Sequence, residues 1–476
     1  MRISEHYSLG LEQPSLDFVD VRLDTDVPLF VDPTALFLLD TEWGAECRGL
    51  IHDYFSLVLE NIREGRHDEA KRLLAVLNEP NETHLGLSKR KSRGHGMGKE
   101  LAVKMWDELK DSLAVSTGLI KDLEDTALMI DGIGSDVISD IVTNIIREPL
   151  LKYTVDMSVQ YGITLVDNVA SKPIWDPLNK KWTTKHVRQP VIDDERLMLV
   201  PKSIVRKSIT YDAGRYYNLY LLEQLQQEAA AEGIVQILKN GNTKPPTKKS
   251  LKEIHGEGKE QNRRLTPTRE QVLERYKNEQ RENPKEALNH EEISESVDTP
   301  EPNWDELLNN LLNVAPGRDD AKTFEKAVQA LFEALFYPWL TYPMPQTRIN
   351  GGRKIVDITF TNVAQDDFFK WLKSNYPSAF IFVECKNYST DLGNPELDQL
   401  AGRFAPSRGQ VGLLVSRKIE NKELIRQSCR DTANDHRGFI IALDDDDIKE
   451  LVEAVKTGRK GERLNLLRTR FNELVL

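Results

Sequence analysis

Cysteine is scarce in this chain: Cys47, Cys385 and Cys429 are the three present among 476 residues. They are odd in number, far apart and without the close pairing of a zinc site, which excludes a disulfide framework and fits a reducing, cytoplasmic setting. No uninterrupted apolar run approaches the roughly 18 residues that a membrane span needs. The opening residues, Met1-Arg2-Ile3-Ser4-Glu5-His6, lack the basic-then-apolar pattern of a secretory leader. No membrane partner is expected. Positive charge is also in deficit, with 64 Lys and Arg against 76 Asp and Glu and a formal net charge of -12. Coating nucleic acid without specificity depends on Lys and Arg displacing counterions, so that class is excluded. An enzyme that meets phosphate through a divalent cation is not, because the carboxylates holding such an ion are themselves acidic.

What is present is ordinary globular composition, 39% hydrophobic and 29% charged, in a chain too long for one core. At least two domains are expected. Residues 1–235 begin with short strand-like runs closed by turns such as Asp32-Pro33 and then become mainly helical, an α+β domain read as a recognition or regulatory unit. Over 47–64, Leu50, Ile51, Tyr54, Phe55, Val58, Leu59 and Ile62 recur at three and four, one buried helical face. Residues 99–113, 136–151 and 216–230 read as helices in the same way, and 183–205 as extended pieces. Residues 236–302 lose apolar periodicity and turn charged, and are read as a linker with fragile helices.

From 303 to 476 the element order is clear. A helix is predicted over 321–336, then a strand through 346–349, the pair Gly351-Gly352 as a two-residue hairpin turn, and a strand over 354–360. A helical insertion near 366–374 precedes a strand over 380–386. Helices over 396–404, 422–433 and 446–455 then alternate with strands over 411–415 and 438–443. Such alternation implies parallel strands covered by helices, an α/β domain with a mixed central sheet.

On the strand 380–386, side chains alternate, so Phe380, Phe382, Glu384 and Lys386 share a face. An acid and a lysine on a strand otherwise this apolar are costly unless they reach a cleft or bind something. The preceding strand carries one acid, Asp357, and if the two strands pair, Asp357 and Glu384 converge within reach of one cation.

Asp357 followed by Glu384-Cys385-Lys386 resembles the signature of the PD-(D/E)XK nuclease superfamily, the restriction-endonuclease-like fold. The family pattern adds a glutamate on the first helix and a glutamine on the helix after the acid-x-lysine strand, and Glu325 and Gln399 stand there. Val356 replaces the proline that often precedes the aspartate. The 26 residues between Asp357 and Glu384 exceed a tight hairpin and require an inserted helix. The resemblance covers 303–476 and implies a hydrolase that cuts phosphodiester bonds with Mg²⁺, or Mn²⁺ in its place. It implies that Asp357 and Glu384 hold the ion and that Lys386 orients or helps deprotonate the attacking water. Glu325 would fix a second cation or a metal-bound water, its plainer alternative being a solvated helix residue. Gln399 would position Lys386 or a phosphate, its alternative being a surface amide. Arg403 and Arg417 could touch the substrate backbone or be solvated.

The first section offers weaker candidates. The basic, glycine-rich run 88–99 could bind phosphate or be a surface loop; Arg93 and Glu100 stand where a Walker A loop needs glycine and Ser or Thr. In 131–140, Ser135 or Asp136 could cap a helix, while Asp136 and Asp140, four apart, share a face and could hold a cation or be solvated. His6, His84 and His95 have no ligand-like spacing. The functional expectation is a Mg²⁺-dependent endonuclease acting on nucleic acid, DNA before RNA, with the N-terminal domain selecting a target, a partner protein or a homodimer mate. By analogy alone, that arrangement resembles bacterial restriction and phage-defence nucleases. The alternatives are a repair or recombination nuclease, and a nucleic-acid-binding scaffold that keeps the fold without cutting. A separate N-terminal enzyme around 131–140 is a third.

Overall fold

Apolar residues spaced three and four apart produce the helix Glu42–Arg63, started by Thr41, whose hydroxyl accepts the Gly44 N–H at 3.0 Å. The chain is described here from a computed structural model, for residues 1–87, 105–107, 109–110, 115, 118, 120–233, 236–237, 243–244, 246–388, 391–458 and 461–476. The basic run 88–99 and most of the helix expected over 99–113 lie outside the described residues. The helix expected over 136–151 is two helices, Ser135–Ile145 and Arg147–Tyr161. Pro149 explains the break, since it has no N–H to continue the ladder from one to the other. The segment predicted over 216–230 is helical, starting with a wide turn at Tyr216–Leu221 and continuing as Leu222–Ala231. The extended pieces form short two-stranded ladders, such as Phe30–Val31 with Val205–Arg206.

The stretch read as a charged linker is structured. Residues 248–297 form the helices Lys248–His255, Lys259–Leu265, Glu270–Glu282 and His290–Val297. Leu251, Leu265, Val272, Leu273, Tyr276, Ile293 and Val297 from them enter the first hydrophobic core, which begins at Ile3. Tyr276 is fully buried with its ring 5.2 Å from Tyr216 and 5.0 Å from Tyr220. Lys277 is bound to Asp122 at 2.8 Å and Asp125 at 3.0 Å. Each helix offers a few apolar residues that complete a surface supplied by residues before 235, so the segment is covered without a core of its own.

A second core runs from Leu311 to Leu474. Its elements are α1 (Trp304–Leu312), α2 (Ala321–Leu335), β1 (Leu340–Ile349), β2 (Lys354–Asn362), α3 (Asp367–Asn375), β3 (Phe380–Lys386), α4 (Asn394–Ala401), β4 (Val411–Ser416), α5 (Lys422–Asn434), β5 (Phe439–Leu443), α6 (Asp445–Lys456) and α7 (Asn465–Val475). The five strands form one mixed sheet in the order β1-β2-β3-β4-β5. The first two pairings are antiparallel and the last two parallel. Overall the molecule is multidomain and about half helical, with this sheet in its C-terminal part. Every residue of β4 is buried, as are Ile381 to Lys386 of β3, which requires cover on both faces. The hairpin between β1 and β2 has four loop residues where two were expected. Ile349 pairs with Lys354, and Asn350, Gly351 and Gly352 all take positive φ, which an Asn-Gly-Gly run accommodates with little strain.

The two cores meet through a buried polar cluster. Asp17 accepts from the Tyr342 N–H and from the Tyr153 hydroxyl, both at 2.8 Å. Glu333 of α2 accepts from the Tyr161 hydroxyl at 2.7 Å, and the Ser15 hydroxyl donates to Ala330 O at 2.8 Å. The Lys202 ammonium donates to Pro14 O at 3.0 Å and lies 4.3 Å from the Tyr337 ring centre. His290 binds Ala334 O through Nε2 at 2.9 Å. Burial, then the Lys202 charge, pushes this imidazole down to about 3 from 6.5. A folded value below the unfolded one means the stabilisation is present above about pH 6.5 and lost as pH falls toward 3. Denaturant titrations between about pH 6.5 and 5 are expected to show the wild type losing up to about 1.4 kcal/mol per pH unit more than His290→Gln. Equal slopes for the two proteins would refute this assignment.

Candidate active site

In the antiparallel pairing of β2 with β3, Ile358 faces Val383, so the next opposed positions are Asp357 and Glu384. Opposed residues share a face with Cβ atoms about 5 Å apart. On the other side of β2, Gln346 lies between the residues that pair with Ile358 and Val356, and so stands opposite Asp357. One row of the sheet therefore reads Gln346, Asp357, Glu384. The next row reads Arg348, Ile355, Lys386, with Arg348 paired to Ile355. The β2–β3 ladder stops at Ile358 and Val383, and beyond it the Asp357 carboxylate accepts the Cys385 N–H at 2.8 Å.

Three side chains close a hydrogen-bonded triangle. Lys386 Nζ donates to Glu384 Oε1 at 2.9 Å and to Gln399 Oε1 at 3.0 Å, and the Gln399 amide donates to Glu384 Oε1. Gln399 comes from α4, whose helical spacing buries Leu397, Leu400 and Ala401. Glu384 is 1% exposed and Lys386 7%. The other carboxylate oxygen, Glu384 Oε2, is buried with no hydrogen-bond partner among the described residues. From α2, half-buried Glu325 accepts from Gln346 Nε2 at 2.9 Å. All five residues expected from sequence thus lie on one connected patch.

The electrostatics are those of crowded acids. Burial, then the charges of Asp357 and Glu384, together raise Glu325 to about 7. Asp357 is raised by burial, against the Cys385 N–H and the Lys386 and Arg403 charges. Glu384 is raised by burial and by Asp357, against Lys386 and Arg403. Burial pulls the Lys386 ammonium down, but Glu384 beside it more than offsets that, leaving Lys386 above the ordinary lysine value. Lys386 therefore stays protonated at neutral pH.

An orphaned buried carboxylate oxygen and three mutually repelling acids fit a divalent cation, which would satisfy the first and relieve the second. Among the described residues no group of three or more His, Cys, Asp or Glu forms a ready-made metal cage. Mg²⁺ does not need one, since it is commonly held by one or two carboxylates with water and phosphate filling the rest.

Other expected residues fall elsewhere. Arg417 is not at the site: it donates to Leu312 O at 2.8 Å, to Val314 O and to Asp445 at 3.1 Å, tying down the end of α1. In the first unit the helix Ser135–Ile145 is preceded by Gly134 without a side-chain cap. The Ser135 hydroxyl instead accepts the Ile209 N–H at 3.2 Å. Asp136 is exposed, and Asp140 is raised to about 8 by burial, then by Glu79, Asp136 and Asp26. Two residues at the site escaped the sequence reading. Gln346 is recognisable only once the β1 register is known. Asn387, directly after the acid-x-lysine strand, donates to Ala315 O at 2.8 Å and Gly317 O at 3.0 Å, fixing the loop that leads into α2.

Residues 8–212 match the model of a domain of unknown function, DUF8370. No curated protein and no solved structure matches the chain. The match lies within the first unit and ends well before the candidate site. No described helix is long and apolar enough to cross a membrane.

Proposed function

We propose that the C-terminal unit is a restriction-endonuclease-like domain and the chain a divalent-cation-dependent endonuclease, acting on DNA before RNA. The observation that carries this reading is the facing pair Asp357 and Glu384, with Glu384 Oε2 unpartnered among the described residues, beside a protonated Lys386. Asp357 and Glu384 would hold Mg²⁺, with Mn²⁺ able to substitute, and Glu325 would hold a second ion or a water on the first. Bound there, the ion offsets charge that builds on the phosphate oxygens and makes water more acidic.

The chain's own groups supply the rest. Lys386, being charged, donates: it orients water or stabilises the developing anion, and it takes up no proton itself. Gln399 fixes the Lys386 rotamer through the bond to its Oε1. Glu384 Oε1 is already engaged twice, so its second oxygen is the one that would hold an ion. The first unit would choose the target, a partner protein or a second copy, and a role in restriction or phage defence follows by analogy alone.

Incubating the full chain with supercoiled DNA, linear DNA and RNA in Mg²⁺, Mn²⁺ or EDTA tests this. Metal-dependent nicking or linearisation, abolished by EDTA, is the expected result. No cleavage of any nucleic acid under any condition leaves the scaffold reading standing and ends the enzymatic one.

A further inference from the structure

We infer that Arg348 and Arg403 grip the phosphodiester backbone on either side of the carboxylate pair, so that a nucleic-acid strand crosses β1, β2 and β3 toward the end of α4. This rests on the nuclease reading and adds the path of the substrate. Three acids gathered on one patch repel a polyanion, and a single cation bound between two of them offsets only part of that charge. Further positive charge is needed close by.

Arg403 follows α4 and its backbone is fixed. Its N–H donates to Leu400 O at 2.9 Å, its carbonyl accepts from Arg408 Nη2 at 3.1 Å, and Lys354 of β2 donates to the neighbouring Gly402 O. Its guanidinium has no acceptor and no ion pair among the described residues, and its Nε is buried. A guanidinium whose N–H groups lack acceptors is left unsatisfied, so an arriving anion is favoured there. The Arg403 charge is felt by both Asp357 and Glu384, yet it bonds to neither. It thus stands beside the site with its hydrogen-bonding capacity unspent.

Arg348 flanks the opposite side. It is exposed, it pairs with Ile355 in the row next to Gln346 and Asp357, and it has no partner among the described residues. Ile355 beside it is 37% exposed, leaving that row open to an approaching ligand. Arg348 lies on β1 and Arg403 follows α4, which is tied to β3 by the Gln399–Lys386 bond, so the two arginines come to the carboxylates from different elements. Guanidinium groups match phosphate oxygens two at a time, which suits them to this task. Arg417 differs in that all its contacts are taken by the protein.

The test measures binding of a labelled random-sequence duplex to the full chain across a salt series, in an Asp357→Asn background that leaves the duplex uncut. Arg348→Gln and Arg403→Gln are each expected to raise Kd about 10-fold. Each should also flatten the slope of log K against log salt by about 1. Arg72→Gln, a surface change in the first unit where the side chain is 72% exposed, should do neither. Mn²⁺ affinity, measured with Asp357 intact, should be unchanged in both variants, showing that the site still folds. Unchanged Kd and slope in either variant overturns the two-sided grip. If the wild type cleaves while the variants bind like their parent, the grip alone fails. If the variants lose binding but the wild type never cleaves, the nuclease reading fails and the grip stands. Absence of any nucleic-acid binding overturns both.

Discussion

Glu384→Gln is expected to abolish metal-dependent cleavage, a loss of at least about 1,000-fold, and with it the rise in Tm that Mg²⁺ or Mn²⁺ gives the parent. Lys386→Met is expected to lower cleavage about 100- to 1,000-fold, the range for removing one charged donor from a developing anion, while keeping cation affinity. The two variants should separate because the residues do different work. Glu384 would offer an ion its Oε2, which has no partner among the described residues, and uses Oε1 to hold Lys386 and Gln399. Removing Lys386 leaves a buried carboxylate with one cation fewer. Breaking a buried pair from one side costs about 3–5 kcal/mol when nothing replaces the lost partner. A divalent ion replaces it, so Mg²⁺ should raise the Tm of Lys386→Met by more than it raises that of the wild type. Wild-type cleavage and a wild-type cation-dependent Tm shift in Glu384→Gln would end the proposal that this carboxylate holds the metal.

The features legible in the sequence were those with a short period. Alternation along β3 placed Glu384 and Lys386 on one face, and the apolar positions of α2, among them Phe324, Val328 and Leu331, marked the helix that carries Glu325. What escaped depended on register or on distant partners. Gln346 joins the site because β1 bulges between Thr341 and Met344 and returns in a register that sets it opposite Asp357, which no local pattern announces. Residues 248–297 carry too few apolar residues to look folded by composition. Those few are aimed at a surface built by residues before 235, so Tyr276 finds Tyr211, Tyr216 and Tyr220, and Lys277 finds Asp125. Arg417, at a strand end, could be read from sequence as a substrate contact or a solvated residue, and is neither. In three dimensions it closes the exposed carbonyls at the end of α1.

Asp17→Ala is expected to destabilise the chain by about 3–5 kcal/mol and to weaken the site at a temperature where the protein is still folded. The substitution leaves the Tyr342 N–H and the Tyr153 hydroxyl without their acceptor and takes a counter-charge from buried Lys202. Its reach into the site follows from two elements. β1 is held at Tyr342 by Asp17 and presents Gln346 four residues on, about 13 Å away at strand rise. α2 is held at Glu333 by Tyr161 and presents Glu325 two turns earlier, about 12 Å away at helical rise. Tyr342 has φ of 50° within the β1 bulge, a conformation that costs about 1–3 kcal/mol and persists only while its surroundings enforce it. Without the Asp17 acceptor the bulge can relax, and a shifted β1 moves Gln346 away from Glu325. Tyr161→Phe, which removes one hydrogen bond from Glu333 and the acceptor of the Asp17 N–H but leaves the Asp17 carboxylate and its bond to β1 in place, should cost about 1–3 kcal/mol and leave Mn²⁺ affinity intact. The decisive comparison is Mn²⁺ affinity by calorimetry at about 25 °C: Asp17→Ala should lower it severalfold where Tyr161→Phe does not, and equal affinities would show that the first unit stabilises the fold without setting the geometry of the carboxylates.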